Sequence, residues 1–447
     1  MALVEILDIS MAKLNPDRLW GCSIDVPVAG GGTEVYAIDV GGWALGRVSR
    51  VTAIDIVHEG VLFQRIPTSI PRRDVAEYYP KVRGAEVCGF WTTVEIVGMP
   101  PKFELFVNAV FEDKTIISLG VIRGRHQRIR SSFQPKLQPL MITTLGRTGS
   151  TFLMRIFDEH PLIVAQRLYP YETRAAGYWM HMLMVLSQPA NHLQSSQPNS
   201  YEVNIWWVGH HPNYMPPITD PSQVHPWFGR GYVEELAAFC QQSIESFYGQ
   251  VASSQGLVEP IYFVEKHNPR HTAWLTWELY PQAREIIMVR DFRDMVCSML
   301  DFYRKRGLVS FGRETANSDE EFIYTTIRAA ALRLLKSWKS RSAQAHLLRY
   351  EDLILHPDET LTVLLDYLSL DCTHATVKKM IRRASEDAPA TQQHRTSPYG
   401  AVSIGRWRRE LDASLRAACQ DVFGEMLKEF GYEDDLQRLS LSAHDRL

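Results

Sequence analysis

Thr143-Thr144-Leu145-Gly146-Arg147-Thr148-Gly149-Ser150-Thr151-Phe152 has the composition of an anion cradle. Glycines let the backbone curl tightly enough for successive N–H groups to face one point, and a helix starting there adds its dipole. The hydroxyls of Thr148, Ser150 and Thr151 add donors, and Arg147 adds a fixed positive fork. A plain strand-to-helix turn, with glycine present for geometry, is the bland reading of the same residues. Further along, the apolar run Glu285–Val289 ends in Arg290, and Ser298 follows eight residues later on the next expected helix. An arginine at a strand tip and a serine inside the following helix can converge on one anion. Alternatively, Arg290 is a salt-bridge partner of Asp291 or Asp294.

Two more segments carry polar groups of chemical interest. Glu172 lies in Leu168-Tyr169-Pro170-Tyr171-Glu172-Thr173-Arg174, and Lys266 closes an apolar strand in Phe263-Val264-Glu265-Lys266-His267-Asn268-Pro269. A carboxylate is an adequate base at neutral pH when partly desolvated beside a cleft. An acid favoured at a helix N-terminus by the dipole is the competing account of Glu172. His267 is a second candidate for base or hydrogen-bond donor.

The loop is not a Walker A motif, which needs four residues between its glycines followed by Gly-Lys-Ser/Thr; nor is it GxGxxG. Its setting is nevertheless that of a phosphate-binding loop. Leu140–Thr144 is a short apolar strand, and Ser150–Glu159 is a helix with Phe152, Leu153, Ile156 and Phe157 on one face. Strands are expected again at Ile261–Glu265, Ile286–Val289 and Ala345–Leu348. Helices are expected near Val233–Val251, Asp294–Lys305, Asp319–Ser342 and Asp358–Leu368. This alternation predicts an α/β fold, a P-loop-like parallel sheet with helices on both faces.

The first 130 residues have another texture. Short β-type runs such as Thr33–Val40, Ala44–Ile56, Val87–Ile96 and Phe103–Phe111 are separated by Gly30-Gly31-Gly32 and by Pro67, Pro71 and Pro100-Pro101. They predict a small all-β sandwich of roughly seven strands. Trp43 is expected in its core. Residues 1–130 are therefore read as an accessory β-sandwich domain, 131–139 as a linker and 140–447 as the α/β domain.

Whole-chain properties exclude several classes. A net charge of −3 gives no global field for nucleic acid, so any anion must be held by local groups. The six cysteines are scattered without metal-ligand spacing and read as free thiols of a reducing compartment. The apolar stretch Tyr178–Leu186 is too short to span a bilayer. With no signal-peptide pattern at the start, the expected location is cytoplasmic. The aromatic-rich segment Ser187–Gly231, with Trp206, Trp207 and Trp227, could line an acceptor cleft.

On these motifs the chain resembles the sulfotransferases that use 3′-phosphoadenosine 5′-phosphosulfate (PAPS). Arg147-Thr148-Gly149-Ser150-Thr151 matches their phosphosulfate loop, a basic residue followed by Ser/Thr-Gly-Ser/Thr-Thr. The resemblance implies that Arg147 contacts the phosphosulfate and that Thr148, Gly149, Ser150, Thr151 and Phe152 hold the 5′-phosphate. It also implies that Arg290 and Ser298 bind the 3′-phosphate. Glu172-Thr173-Arg174 is similar to the segment carrying the catalytic base in tyrosylprotein sulfotransferases. By that likeness Glu172 is the base, and Lys266 stabilises charge on the leaving oxygen. Leu348–Leu353, read as structural packing, extends the match. So do His394–Ser397 and Ser403–Trp407, which resemble the loop covering the donor nucleotide, with Arg395 and Ser397 as candidate 3′-phosphate contacts. In that loop, the Arg-Lys-Gly triplet of cytosolic relatives is replaced by Gly400-Ala401-Val402, and Arg406 stands where they have Asp. The implied reaction moves a sulfuryl group to a hydroxyl of a glycan, tyrosine or small molecule without a required metal, leaving 3′-phosphoadenosine 5′-phosphate (PAP). Two rivals are an inactive glycan-binding protein and an ATP-dependent phosphotransferase, the latter disfavoured by the missing Walker lysine.

Overall fold

The computed structural model describes residues 2–187, 230–269, 272–306, 311–385, 396 and 400–432. The N-terminal module is built from β1 (Val4–Met11), β2 (Leu19–Val26), β3 (Gly32–Thr33), β4 (Ala37–Gly46), β5 (Val51–His58), β6 (Val61–Pro67), β7 (Gly89–Glu95), β8 (Lys102–Phe111) and β9 (Ile116–His126). These strands form two antiparallel sheets, ordered β3-β1-β9-β8-β5-β6 and β2-β4-β7. In β8 the inward residues Phe103, Leu105, Val107 and Ala109 alternate with Lys102, Glu104 and Phe106. They share one apolar core with Ile38 and Val40 of β4 and Phe90 and Val94 of β7. The expected sandwich is therefore present, with nine strands rather than seven.

Two expectations need correction. The expected runs Thr33–Val40 and Ala44–Ile56 are not parted at residues 41–43, since Gly41 and Gly42 lie inside β4. A Cβ on Gly42 would sit 2.1 Å from the Ser23 carbonyl oxygen, and one on Gly41 would sit 2.6 Å from the Trp91 ring. Glycine there permits close approach of neighbours within a sheet. The break comes instead at residues 47–50, splitting the run Ala44–Ile56. Trp43 is also not a core residue: it is half-buried, packed against Leu45, Val75, Ala85 and Cys88.

The chain divides into two compact units, one of Met1–Gln134, Gly177–Ser243 and His271–Pro281, the other of Pro135–Ala176, Ile244–Arg270 and Gln282–Leu447. Within the first, the Ile129 amide donates to Glu278 Oε1 (2.5 Å) and Ser187 Oγ donates to the buried Glu95 carboxylate (3.0 Å). Such bonds explain why segments distant in sequence cluster with the sandwich.

The second unit contains β10 (Gln138–Thr144), β11 (Ile163–Val164), β12 (Tyr262–His267), β13 (Arg284–Val289) and β14 (His346–Arg349). They form a parallel sheet ordered β11-β12-β10-β13-β14. β10 opens at Gln138, so the last two residues of the expected linker are strand. Both faces of the sheet are covered, and β13 shows why. Ile287 and Val289 pack with Phe292, Met295 and Phe423, whereas Ile286 and Met288 pack with Leu153, Ile156 and Leu361. Alternate side chains thus reach opposite cores, the pattern of a doubly covered parallel strand. The helix expected over Asp319–Ser342 runs from Asp319 to Arg341 but widens to a π turn at Ile323–Ile327. Chain order reverses at β10, so the crevice at the carboxyl ends of β10, β12 and β13 is where such a sheet binds ligands. Among the described residues, no helix is long and apolar enough to cross a membrane. The six cysteines are free, four of them buried.

Candidate active site

The loop between β10 and the helix Ser150–Asp158 lies in that crevice. Gly149 caps the helix at φ +89°, and a Cβ there would meet the Tyr350 ring at 2.4 Å. Left-handed backbone and lack of room both call for glycine. Arg147 also has a positive φ, +68°. The helix's first turn leaves N–H groups without intrahelical acceptors, facing the crevice end of the sheet.

Two loop residues act differently from expectation. Thr148 is 1 % exposed, and its hydroxyl bonds the Thr144 hydroxyl (2.6 Å) and the Leu145 carbonyl (2.9 Å). It staples the turn to the end of β10. Phe152 buries its ring in the core beside Leu140 and Ile156, and its amide donates to the Gly149 carbonyl at 2.9 Å. Its ring supports the helix rather than the anion. Ser150 and Thr151 remain half-buried at the helix start.

Arg147 reaches across to the next helix. Its Nε donates to Ser298 Oγ at 3.0 Å, and an Nη donates to Thr396 Oγ1 at 3.3 Å, itself 3.0 Å from Ser298 Oγ. Its guanidinium also lies 4.8 Å from the Phe302 ring centroid. Arg290 joins this cluster from the tip of β13, donating to the Arg147 carbonyl (3.1 Å) and the Ser403 carbonyl (2.7 Å) while stacking on Tyr350 at 4.6 Å. The salt-bridge alternative for Arg290 fails in its simple form. Asp291 is taken by Arg293 in a two-pronged pair (2.9 and 2.7 Å), and Asp294 accepts the amides of Gly405 (2.6 Å) and Trp407 (2.9 Å). Buried Nε of Arg290 has no partner among the described residues. An orphaned guanidinium N–H in a cleft is unfavourable unless an acceptor arrives, so this position suits an anion.

On the other side of the loop, Lys266 is 4 % exposed and donates to Thr151 Oγ1 (2.8 Å) and the Pro170 carbonyl (2.7 Å). Its ammonium lies 3.9 Å from a carboxylate oxygen of Glu172, which is 54 % exposed. Burial pushes the Lys266 pKa down to about 8; Glu172 opposes the drop and Arg174 adds to it. A buried N–H of Arg174 (Nε) also has no partner among the described residues. His267 is placed differently from Lys266. Strand alternation puts Glu265 and His267 on the opposite face of β12, and the imidazole Nε2 sits 3.4 Å from the Glu265 carboxylate. That carboxylate also accepts the Tyr248 hydroxyl and the Ala176 amide.

Two contributors were not legible as site residues. Thr396 bridges Arg147, Ser298 and Arg406, and Arg406 is fixed by Asp301 and Glu410. Tyr350, expected as packing, carries Arg290 and bonds Ser403 Oγ at 2.9 Å. Trp206, Trp207 and Trp227 of the expected acceptor segment, and Arg395 and Ser397 of the covering loop, lie outside the described residues.

A model described as the sulfotransferase family matches residues 139–374, more than half of the chain. Among curated proteins none matches. Solved structures that resemble it include the sulfotransferase domain of the Synechococcus olefin synthase, 17 % identical over 67 % of this chain and 98 % of that one (TM-score 0.36). Mouse sulfotransferase SULT7A1 complexed with PAP is 13 % identical over 69 % and 90 % (TM-score 0.37). Sulfotransferase STF9 from Mycobacterium avium is 14 % identical over 67 % and 78 % (TM-score 0.34). With the family match spanning the phosphate loop, Glu172, Lys266, Arg290 and Ser298, the chain belongs to the sulfotransferase family.

Proposed function

We propose that this chain transfers a sulfuryl group from PAPS to the hydroxyl of a glycan, tyrosine or small-molecule acceptor, releasing PAP. The observation that carries the reading is the convergence of Arg147, Ser298 and Arg290 beside the N-terminus of helix Ser150–Asp158, with an N–H of Arg290 that has no partner among the described residues. A donor with phosphates at both ends of its ribose needs two anion sites. The loop amides with Arg147 suit the 5′ end, and Arg290 with Ser298 suits the 3′-phosphate.

In the step itself the acceptor oxygen attacks sulfur and a new S–O bond forms. The bond from sulfur to the bridging phosphate oxygen breaks, and its electron pair stays on the phosphate. Glu172 takes the acceptor proton. Lys266, held by Thr151 and Pro170, faces the charge that grows on the leaving oxygen. Fixed charges already in place need no reorganisation as the reaction proceeds, which is the main source of rate in such transfers.

The test is incubation of the purified chain with sulfur-labelled PAPS and a panel of phenols, tyrosine peptides and glycans, with and without magnesium. Label in an acceptor together with PAP release supports the reading. Transfer of phosphate from ATP, with PAPS inert, would overturn it.

A further inference from the structure

The first unit carries a groove that sulfuryl transfer does not use. Its volume is about 590 Å³, and Met11, Leu14, Trp20, Trp43, Tyr78 and Tyr79 line it, with Asp74 at its edge. That size falls within the range of roughly 300–1,000 Å³ of small-molecule sites. Tyr78 is 79 % and Trp20 38 % exposed, and Met11 and Leu14 are exposed beside them. Clustered exposed apolar side chains mark a binding surface, whereas scattered ones do not.

The rings are held in place. Tyr79 sits 6.5 Å from Trp20, 6.3 Å from Trp43 and 4.8 Å from Tyr78, centroid to centroid, and its hydroxyl donates to the Trp20 carbonyl at 3.1 Å. Arg47 stacks over Trp20 at 4.6 Å and donates to the Pro16 carbonyl at 2.8 Å. Gly21 makes the floor possible: a Cβ there would come within 2.8 Å of Trp43 and 3.0 Å of the Tyr79 hydroxyl. Rings fixed before a ligand arrives lose little freedom on binding. At the edge, Arg72 grips Asp74 with two bonds (2.9 and 2.5 Å) and Asp25 with a third (2.6 Å).

We propose that this groove binds an uncharged glycan chain, with sugar rings stacked on Tyr78 and Trp20 and hydroxyls bonded to Asp74. A pyranose has an apolar C–H face and a rim of hydroxyls, and the groove offers flat aromatic faces bordered by the Asp74 carboxylate. An aliphatic peptide helix needs holes between branched side chains, and few branched residues line this groove. Asp74 and Asp25 against Arg72 and Arg47 leave no net charge beside the rings, so nothing here attracts an acidic polysaccharide over a neutral one.

Native affinity electrophoresis of the full chain through gels containing hydroxyethylcellulose, galactomannan, soluble starch or hyaluronan tests this. At least one neutral polysaccharide should retard the protein, and hyaluronan should not. Trp20→Ala and Tyr78→Ala should each weaken retardation at least tenfold, and Tyr78→Phe should keep it. Sulfuryl transfer should stay unchanged in both. Melting temperature should hold in Tyr78→Ala, whose side chain is at the surface, and fall in Trp20→Ala, whose ring packs with Tyr79 and Arg47. No retardation by any neutral gel, retardation by hyaluronan alone, or alanine variants that run like the parent would each overturn the proposal. So would a dimer that Tyr78→Ala converts to monomer without any glycan effect, because the groove would then be a protein interface.

Discussion

Arg147 Nε donates to Ser298 Oγ across 3.0 Å although 151 positions separate the two residues in the chain. One sits on the loop after β10 and the other inside helix Phe292–Arg306, so the parallel pairing of β10 with β13 is what brings them together. This contact, together with the Arg290 bond to the Arg147 carbonyl (3.1 Å), joins the two basic signatures of the sequence.

Replacing Arg147 should remove the positive fork at this junction. Arg147→Ala is expected to lower turnover by about 10²–10³-fold, the usual cost of losing one preorganised donor at a site of charge development. Arg147→Lys should recover part of it, since charge returns without the fork. Steady-state kinetics on variants with unchanged circular dichroism would decide. Near-normal turnover in Arg147→Ala would take the loop out of the mechanism.

Affinity for the nucleotide should depend on Arg290. Arg290→Ala removes charge-assisted bonds of about 1.5–3 kcal/mol, so PAP binding should weaken by roughly 10- to 150-fold. Calorimetry can compare PAP with AMP, which lacks the 3′-phosphate. The parent should prefer PAP, and Arg290→Ala should lose that preference. Equal binding of PAP and AMP by the parent would contradict the 3′-phosphate assignment.

Much of this arrangement could be read from residue order, because it is local. An apolar strand, a glycine turn and an amphipathic helix occupy 138–158 in unbroken succession, so the loop needed no tertiary information. What escaped reading was direction. The Thr148 hydroxyl turns inward because Thr144, one helical turn's length behind it, offers a buried partner at 2.6 Å. Gly41-Gly42 looks like a break in isolation and becomes intelligible only once Ser23 and Trp91 are seen against it. Thr396 joins the site through Arg147 and Ser298, and Arg406, held by Asp301 and Glu410, reaches it through Thr396, a network no local pattern announces. The alternation placing Lys266 and His267 on opposite faces was, by contrast, available from strand periodicity alone.

Gly149 allows a test of the loop's geometry. Gly149→Ala forces an L-residue to φ +89° and drives a methyl into Tyr350, the ring that carries Arg290. Destabilisation of about 1–3 kcal/mol is expected from the backbone alone. Thermal unfolding should register it, and PAP affinity should fall in the same variant. An unchanged melting temperature would mean that the helix start adapts without strain.

Lys266 sets an expected alkaline limit. Its pKa is lowered to about 8 by burial, so the ammonium is present below that pH and lost above it. If the charged form stabilises the leaving oxygen, kcat/KM should fall as pH rises through about 8, because that parameter reports the free enzyme. Bound donor adds negative charge beside the ammonium, so the limb in kcat should lie at higher pH. Lys266→Arg should carry its charge through this range and flatten the limb. A limb near 8 that persists in Lys266→Arg would belong to another group.

Glu172 is the base in the proposed mechanism, and Glu172→Gln separates that role from shape. The amide keeps the size of the side chain but has no basic carboxylate to take the acceptor proton. Turnover should fall by about 10²–10⁴-fold, the range typical of a lost general base. PAP binding should change little, since the Glu172 side chain is more than half exposed and lies 3.9 Å from Lys266. A small change is expected through that lysine, whose charge Glu172 supports. His267 provides the decisive comparison. It faces Glu265 at 3.4 Å on the other side of β12, so His267→Asn should leave the proton transfer largely intact. Loss of turnover in His267→Asn with Glu172→Gln still active would reassign the base to the histidine. Normal turnover in both would mean that neither takes the proton, and the acceptor would have to approach from a direction that Glu172 does not face.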